Sequence, residues 1–211
     1  MPYTELCTVR ETTVDGVSNW LWPVEDTGAW DGPVSDWEIS HKEKFFKYLK
    51  GTQVVFTAGG NCGLYTRLYA KVFDAVYSFE PDPFNFHCLV NNNQLDNVIK
   101  IQGALGAENK MITMDRHTMT NVGMHTINED PNVAFIPMFR IDDFHPRCID
   151  LIQLDVEGYE IHALTGGLRN INEFRPVISV ERSNDEIKEL LRPFGYKAVD
   201  VSVMDTIFVS G

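Results

Sequence analysis

Three stretches of this chain hold residues whose types and spacing could do chemistry. Phe56-Thr-Ala-Gly-Gly-Asn-Cys-Gly63 reads as the end of a buried strand, a glycine-rich turn and the start of a helix. Tyr77-Ser-Phe-Glu-Pro-Asp-Pro83 brings a second apolar run to a carboxylate, Glu80, and Leu154-Asp-Val-Glu-Gly-Tyr-Glu160 brings a later run to Asp155 and Glu157. A glycine turn lets a ligand approach the backbone closely, or it only packs a helix against a strand. A carboxylate at the tip of the next strand can accept hydrogen bonds from both hydroxyls of a ribose. Asp155 and Glu157 are suited to hold a cationic group or to take a proton from a nucleophile.

The spacing narrows the ligand. A P-loop needs four residues between its glycines and then Lys-Ser/Thr, whereas here Gly59 and Gly63 enclose three residues and Leu64-Tyr65 follow. A dinucleotide fingerprint needs G-x-G-x-x-G, and the turn offers G-G-x-x-G with Glu80 seventeen residues beyond Gly63. That pattern speaks for an adenosine with free ribose hydroxyls and little for phosphate. S-adenosylmethionine meets the description. Its carboxylate can rest on backbone amides of the turn and helix start, and its cationic centres tolerate acidic neighbours that would repel a pyrophosphate.

Alternating strands and helices must position these residues. The β-branched and apolar runs predict strands over Gln53–Thr57, Ala75–Phe79, Val98–Gln102, Ile149–Leu154 and Val177–Val180, with shorter ones at Lys110–Met114 and Met138–Ile141. Helices are expected near 36–50 (a Ser35 capping box and Gly51 at its end), 62–73, Phe84–Gln94 with Asp82 as N-cap and Pro83 next, Glu157–Leu168, and 184–192. Tyr196–Val201 and Thr206–Val209 close the chain as an antiparallel pair. Such an order implies an α/β fold, a parallel sheet with helices on both faces, whose ligand sits beyond the carboxyl ends of the strands. Domain organisation is read as a Trp-rich segment over 1–50 packed on a main domain over 51–211.

Composition excludes several classes. With 211 residues the chain fits one ordinary domain, and its net charge of −12 argues against nucleic acid as a partner. No apolar run has membrane-span length and the N-terminus lacks a signal-peptide pattern, so no membrane partner and a cytoplasmic location are expected. The four cysteines, Cys7, Cys62, Cys88 and Cys148, show no CxxC and read as reduced thiols.

Together, Val54–Tyr65, Tyr77–Pro83, Gln102-Gly-Ala-Leu-Gly106, Arg140–Phe144, Ile149–Glu160 and Arg175–Glu181 resemble the FkbM family of class I S-adenosylmethionine-dependent methyltransferases, from about residue 50 to 209. The resemblance implies a Rossmann-like methyltransferase fold with a mostly parallel seven-stranded sheet and an antiparallel C-terminal edge. It implies S-adenosyl-L-methionine contacts at Thr57, Gly59, Gly60, Asn61, Gly63, Glu80, Pro81, Asp82, Ala104 and Asp155. Thr57 stands where the family carries an aspartate, so weaker cofactor binding is expected. The family association also implies an oxygen acceptor, a sugar hydroxyl of a glycan or glycosylated metabolite. Its pocket is expected to be shaped by the N-terminal Trp segment and the 115–137 loop, where the sequence is most individual.

Such a hydroxyl needs a general base, for which Asp155 and Glu157 are the candidates, with His125 as an alternative. Glu157 can equally serve the first turn of its helix, and Glu181 can reach the substrate side. Asp155, Glu157 and Glu181 could hold magnesium or calcium, but nothing in the spacing demands it and no metal is expected. Two other readings stay open, an NAD-dependent oxidoreductase and a non-catalytic protein that binds S-adenosylmethionine or a protein partner.

Overall fold

The computed structural model of the protein describes residues 7–14, 17–24, 26, 45–116, 121–130, 135–201 and 205–211. Most of the helix expected over 36–50, its Ser35 cap and the connection at 202–204 lie outside these residues.

Strands β1 (Cys7–Val14) and β2 (Val17–Pro23) pair antiparallel. Beyond them come β3 (Val54–Ala58), α1 (Leu64–Ala70), β4 (Ala75–Glu80), α2 (Pro83–Asn92), β5 (Val98–Gln102), β6 (Ala104–Leu105), β7 (Lys110–Asp115), β8 (Thr126–Asn128) and β9 (Ile136–Phe139). The chain continues through β10 (Leu151–Leu154), α3 (Glu160–Thr165), α4 (Leu168–Phe174), β11 (Val177–Glu181), α5 (Asp185–Leu191), β12 (Tyr196–Val201) and β13 (Asp205–Ser210). The main sheet has seven strands in the order β12-β13-β11-β10-β3-β4-β5. Its five strands from β11 to β5 run parallel, and β13 enters antiparallel between β11 and β12. The expected architecture is therefore the observed one.

Side chains alternate across each strand, so the sheet buries two separate layers. Val54, Phe56 and Ala58 of β3 face a layer with Phe79, Leu154, Ala163, Leu164, Ile171 and Ile187, to which α3, α4 and α5 contribute. Val55 faces the other layer with Phe45, Tyr69, Phe73, Val76 and Leu151, on the side of α1. Fully burying one such aliphatic side chain contributes about 1.5–3 kcal/mol, so these layers hold the strand tips in place.

Three expectations need correction. The helix expected over Glu157–Leu168 begins only at Glu160 and breaks at Gly166-Gly167 before α4. A Cβ on Gly166 would lie 2.0 Å from the Gly106 carbonyl oxygen, so the break is where the helix backbone touches a neighbouring loop. At 45–50 the described chain forms a 3₁₀ turn, Phe46–Tyr48, and Leu49 is already extended (ψ 138°), so Gly51 does not end an α-helix. Phe45 is buried and Phe46 and Leu49 are half-buried against the layer under α1. Finally, the region over 104–139 is more regular than expected: β6, β9, β7 and β8 form a second small sheet in that order.

Candidate active site

The turn after β3 is held to both neighbouring strands. Gly60 N–H donates to the Phe79 carbonyl at 2.9 Å, and Asp155 N–H donates to the Ala58 carbonyl at 3.1 Å. Gly59 has φ +82°, and a Cβ there would fall 1.8 Å from the Asp155 carbonyl oxygen, so only glycine lets the exits of β3 and β10 meet. Beyond these strand ends lies a cavity of about 340 Å³, a volume within the usual range for small-molecule sites. It opens at the switch point, where the chain leaves β3 for β4 on one side and has β10 on the other.

Glu80, at the tip of β4, is almost fully buried yet lines the cavity. Its Oε2 accepts from Asn61 N–H at 2.7 Å and its Oε1 from Asp82 N–H at 2.9 Å. An ionised carboxylate has about four acceptor positions, so roughly two remain free on the cavity side. Burial pushes the Glu80 carboxyl up to about 7 and neighbouring Asp82 adds to the rise, while the backbone donors and His125 oppose it.

Asp82 has a different task. It accepts from Phe84 and Asn85 N–H at 2.8 and 3.2 Å as the N-cap of α2, and it pairs with Arg116 at 2.7 Å and His125 at 3.3 Å. Burial alone would push its carboxyl up, but His125, the Arg116 guanidinium and the two backbone donors together hold it below the usual range.

At the other end of the cavity stand Asp155, Glu157 and Glu181, whose nearest oxygens all lie within 4.8 Å of one another. Strand β10 ends at Leu154, so Glu157 arrives by a left-handed turn (φ +47°) rather than by strand alternation. Arg182, also left-handed (φ +50°), pairs with Glu157 at 3.3 Å and Glu181 at 3.7 Å. Burial first and Asp155 second push the Glu181 carboxyl well above the usual range; burial also raises Glu157, against the pull of Arg182. Glu160 anchors this loop by accepting from Val156 and Gly158 N–H at 3.4 and 3.2 Å.

Of the residues singled out in the sequence, Gly59, Gly60, Asn61, Glu80, Pro81, Ala104, His125, Asp155 and Glu157 all border the cavity. Three do not. The Thr57 hydroxyl is hydrogen-bonded to the Gln153 side chain inside the sheet. Gly63 packs on α2, where a Cβ would meet Asn93 Nδ2 at 2.0 Å, and Asp82 is engaged as described. Strand alternation could have flagged Thr57, which shares a face with Val55 in the apolar layer under α1.

Sequence reasoning missed Arg182 and the way Trp22 reaches the wall. Trp22 of β2 borders the cavity and donates from Nε1 to buried Asp26 at 2.6 Å. Its cluster of Trp, Leu and Pro was the available signal, but the residues facing it on α2 were not predictable from spacing.

The family model of the methyltransferase FkbM domain matches residues 61–198. No curated protein matches the chain. Among solved structures, the methyltransferase FkbM from Methylobacillus flagellatus is similar, with TM-score 0.51 and 20% identity over 74% of this chain and 43% of that one. The present chain thus spans less than half the length of that relative. Trm5b from Pyrococcus abyssi gives TM-score 0.58 and 17% identity over 98% of this chain and 56% of that one. TYW2 from M. jannaschii, solved with AdoMet, gives 0.50 and 19% over 98% and 87%. At these identities the structural likenesses establish the fold, a class I methyltransferase α/β sheet. The family match covers well over half of the 211 residues and includes Glu80, Asp155 and Glu157, and on it the chain belongs to the FkbM family of S-adenosylmethionine-dependent methyltransferases.

Proposed function

We propose that this chain binds S-adenosylmethionine in the cavity beyond β3, β4 and β10 and methylates an oxygen, a sugar hydroxyl of a glycan or glycosylated metabolite. The observation that carries the cofactor reading is Glu80. It is a buried carboxylate that receives one backbone N–H on each oxygen and has acceptor positions left toward the cavity, as two ribose hydroxyls require. Gly59, Gly60 and Asn61 supply backbone at the centre of the site, and Ala104 and Pro81 offer a small apolar border for an adenine. Asp155 is two strands from Glu80, about 10 Å at usual sheet spacing, so one extended ligand can reach both. When bound, the cofactor supplies a methyl carried on a sulfonium.

The chain's own residues orient the partners and handle the proton. Asp155 and Glu157 border the cavity at the end away from Glu80, where a carboxylate can accept the acceptor's hydroxyl proton, and burial makes Glu157 a stronger base than an exposed acid. His125 pairs with Asp82, two residues from Glu80, which favours Asp155 and Glu157 over it for this task. The choice of oxygen and sugar rests on the family association and on the net charge of −12, which disfavours polyanionic acceptors.

The test is calorimetric titration with S-adenosylmethionine and S-adenosylhomocysteine, with NAD as control, on the native protein and Glu80→Gln. Micromolar binding is expected, at least tenfold weaker in the variant. Below pH 7 the free Glu80 carboxyl keeps its proton and loses acceptor capacity, so affinity should fall by up to about tenfold between pH 8 and pH 6. That dependence should vanish in Glu80→Gln. Preference for NAD, or no binding of either sulfur ligand, would falsify the cofactor reading.

A further inference from the structure

We infer that Asp155, Glu157 and Glu181 form a binding site for one hard divalent cation, magnesium, manganese or calcium, at the acidic end of the cavity. The three residues come from two different strand exits, those of β10 and β11, and converge with their nearest oxygens within 4.8 Å of one another. A calcium ion with ligands at about 2.4 Å has a coordination shell about 4.8 Å across, and magnesium needs only a modest contraction of the same set. Oxygen-only ligands suit these ions and disfavour zinc or copper.

A second, independent observation points to a ligand. Glu181 is 6% exposed, and its Oε2 has no hydrogen-bond partner. A buried carboxylate oxygen without a donor costs free energy, and here it faces other carboxylates. The charges agree: three carboxylates face one guanidinium, that of Arg182, at 3.3 Å from Glu157 and 3.7 Å from Glu181. The Arg182 side chain is 70% exposed, so it can turn to solvent and leave both carboxylates to a metal. A divalent ion would replace that guanidinium as the counter-charge to the cluster, and its open positions suit neutral oxygen ligands such as water or an acceptor hydroxyl.

Cation binding itself stands apart from the proposed methyl transfer; the link to an oxygen acceptor rests on that reading. A coordinated hydroxyl loses its proton more readily than a free one, so the carboxylates would act on the acceptor through the ion.

Manganese, followed by its paramagnetic resonance signal in the absence of any sulfur ligand, gives the direct test. One equivalent should bind per chain, be displaced by magnesium or calcium, and bind at least tenfold more weakly in Glu181→Gln and in Glu157→Gln. Glu129→Gln, at the exposed Lys110 pair, should leave it unchanged. Circular dichroism of each variant separates loss of the site from loss of the fold. Three results would overturn the site: no stoichiometric binding, binding that survives both cavity variants, or strict competition by S-adenosylhomocysteine. The last would make the cluster the seat of the cofactor's ammonium. Since the manganese signal is read without cofactor and the cofactor titration without metal, failure of one leaves the other standing.

Discussion

Thr57, where the family resemblance implied an aspartate, turns its hydroxyl to Gln153 and does not border the cavity. Across the main sheet, Ser78, Thr57, Gln153 and Ser179 stand in one register row on adjacent strands, all buried. They form a polar border at the carboxyl end of the otherwise apolar layer under α1. Thr66 Oγ1 pairs with Ser78 Oγ at 2.8 Å, while Gln153 Nε2 and Ser179 Oγ find no partner. Such a row is sensitive to deletion, because a buried amide that loses its only hydrogen bond costs about 1–3 kcal/mol. Thr57→Val keeps the shape and removes the hydroxyl, so it should lower stability by about 1–2 kcal/mol in urea unfolding. Its affinity for S-adenosylhomocysteine should stay within about twofold of native, the opposite pattern to Glu80→Gln. A tenfold loss of affinity would instead give Thr57 the cofactor role that the family resemblance implied.

The elements show where a sequence stops being readable. Most main-sheet strands were legible to within a residue or two because β-branched runs between turn signals have few other uses in a parallel sheet. Asp82-Pro83 announced α2 through cap chemistry that is local, and the structure has that cap. The α3–α4 break was not legible, since it depends on a loop sixty residues earlier touching Gly166. Of the site, the glycine turn, Glu80 and the acidic loop were legible as strand-tip signals; Glu181 could be grouped with Asp155 and Glu157 from the sequence, but how closely the three converge depends on β10 and β11 being neighbours. The hairpin β1–β2 was also missed, although Asp15-Gly16 between Val14 and Val17 is a two-residue hairpin signature.

What fixes that hairpin is one side chain on α2. Asn92 Oδ1 accepts from Leu21 N–H at 2.8 Å, and its Nδ2 donates to the carbonyls of Leu21 at 2.9 Å and Cys62 at 2.8 Å. It therefore joins β2, α2 and the glycine turn at once. Asn92→Ala should cost about 2–3 kcal/mol, at roughly one per lost bond, and should shift tryptophan emission to longer wavelength as Trp20 and Trp22 meet water. Asn92→Asp should fare no better, because its carboxylate keeps the Leu21 N–H but sets oxygen against two carbonyls. An unshifted spectrum in both variants would mean that the tryptophans alone hold the strand.

For the whole molecule, the question is whether the N-terminal segment is an appendage or part of the methyltransferase unit. Trp20 and Trp22 are buried in a cluster with Cys62 of the turn and Cys88 of α2, and Trp22 forms part of the cavity wall. The layer that orders the binding turn is thus partly built by the hairpin, and losing either should loosen the other. A separate segment would melt early, exposing its tryptophans while the sheet stayed intact. One shared core predicts instead that tryptophan fluorescence and far-ultraviolet circular dichroism report the same thermal midpoint. It also predicts that S-adenosylhomocysteine, which binds only the native state, raises both midpoints together, with about 2.7 kcal/mol of stabilisation at one hundred times its Kd. If the fluorescence transition came first and ignored the ligand, residues 1–50 would be a dispensable cover over a self-sufficient domain. If the two stay locked, Trp22 is part of the site's architecture, and the acceptor meets a pocket whose outer wall the hairpin supplies.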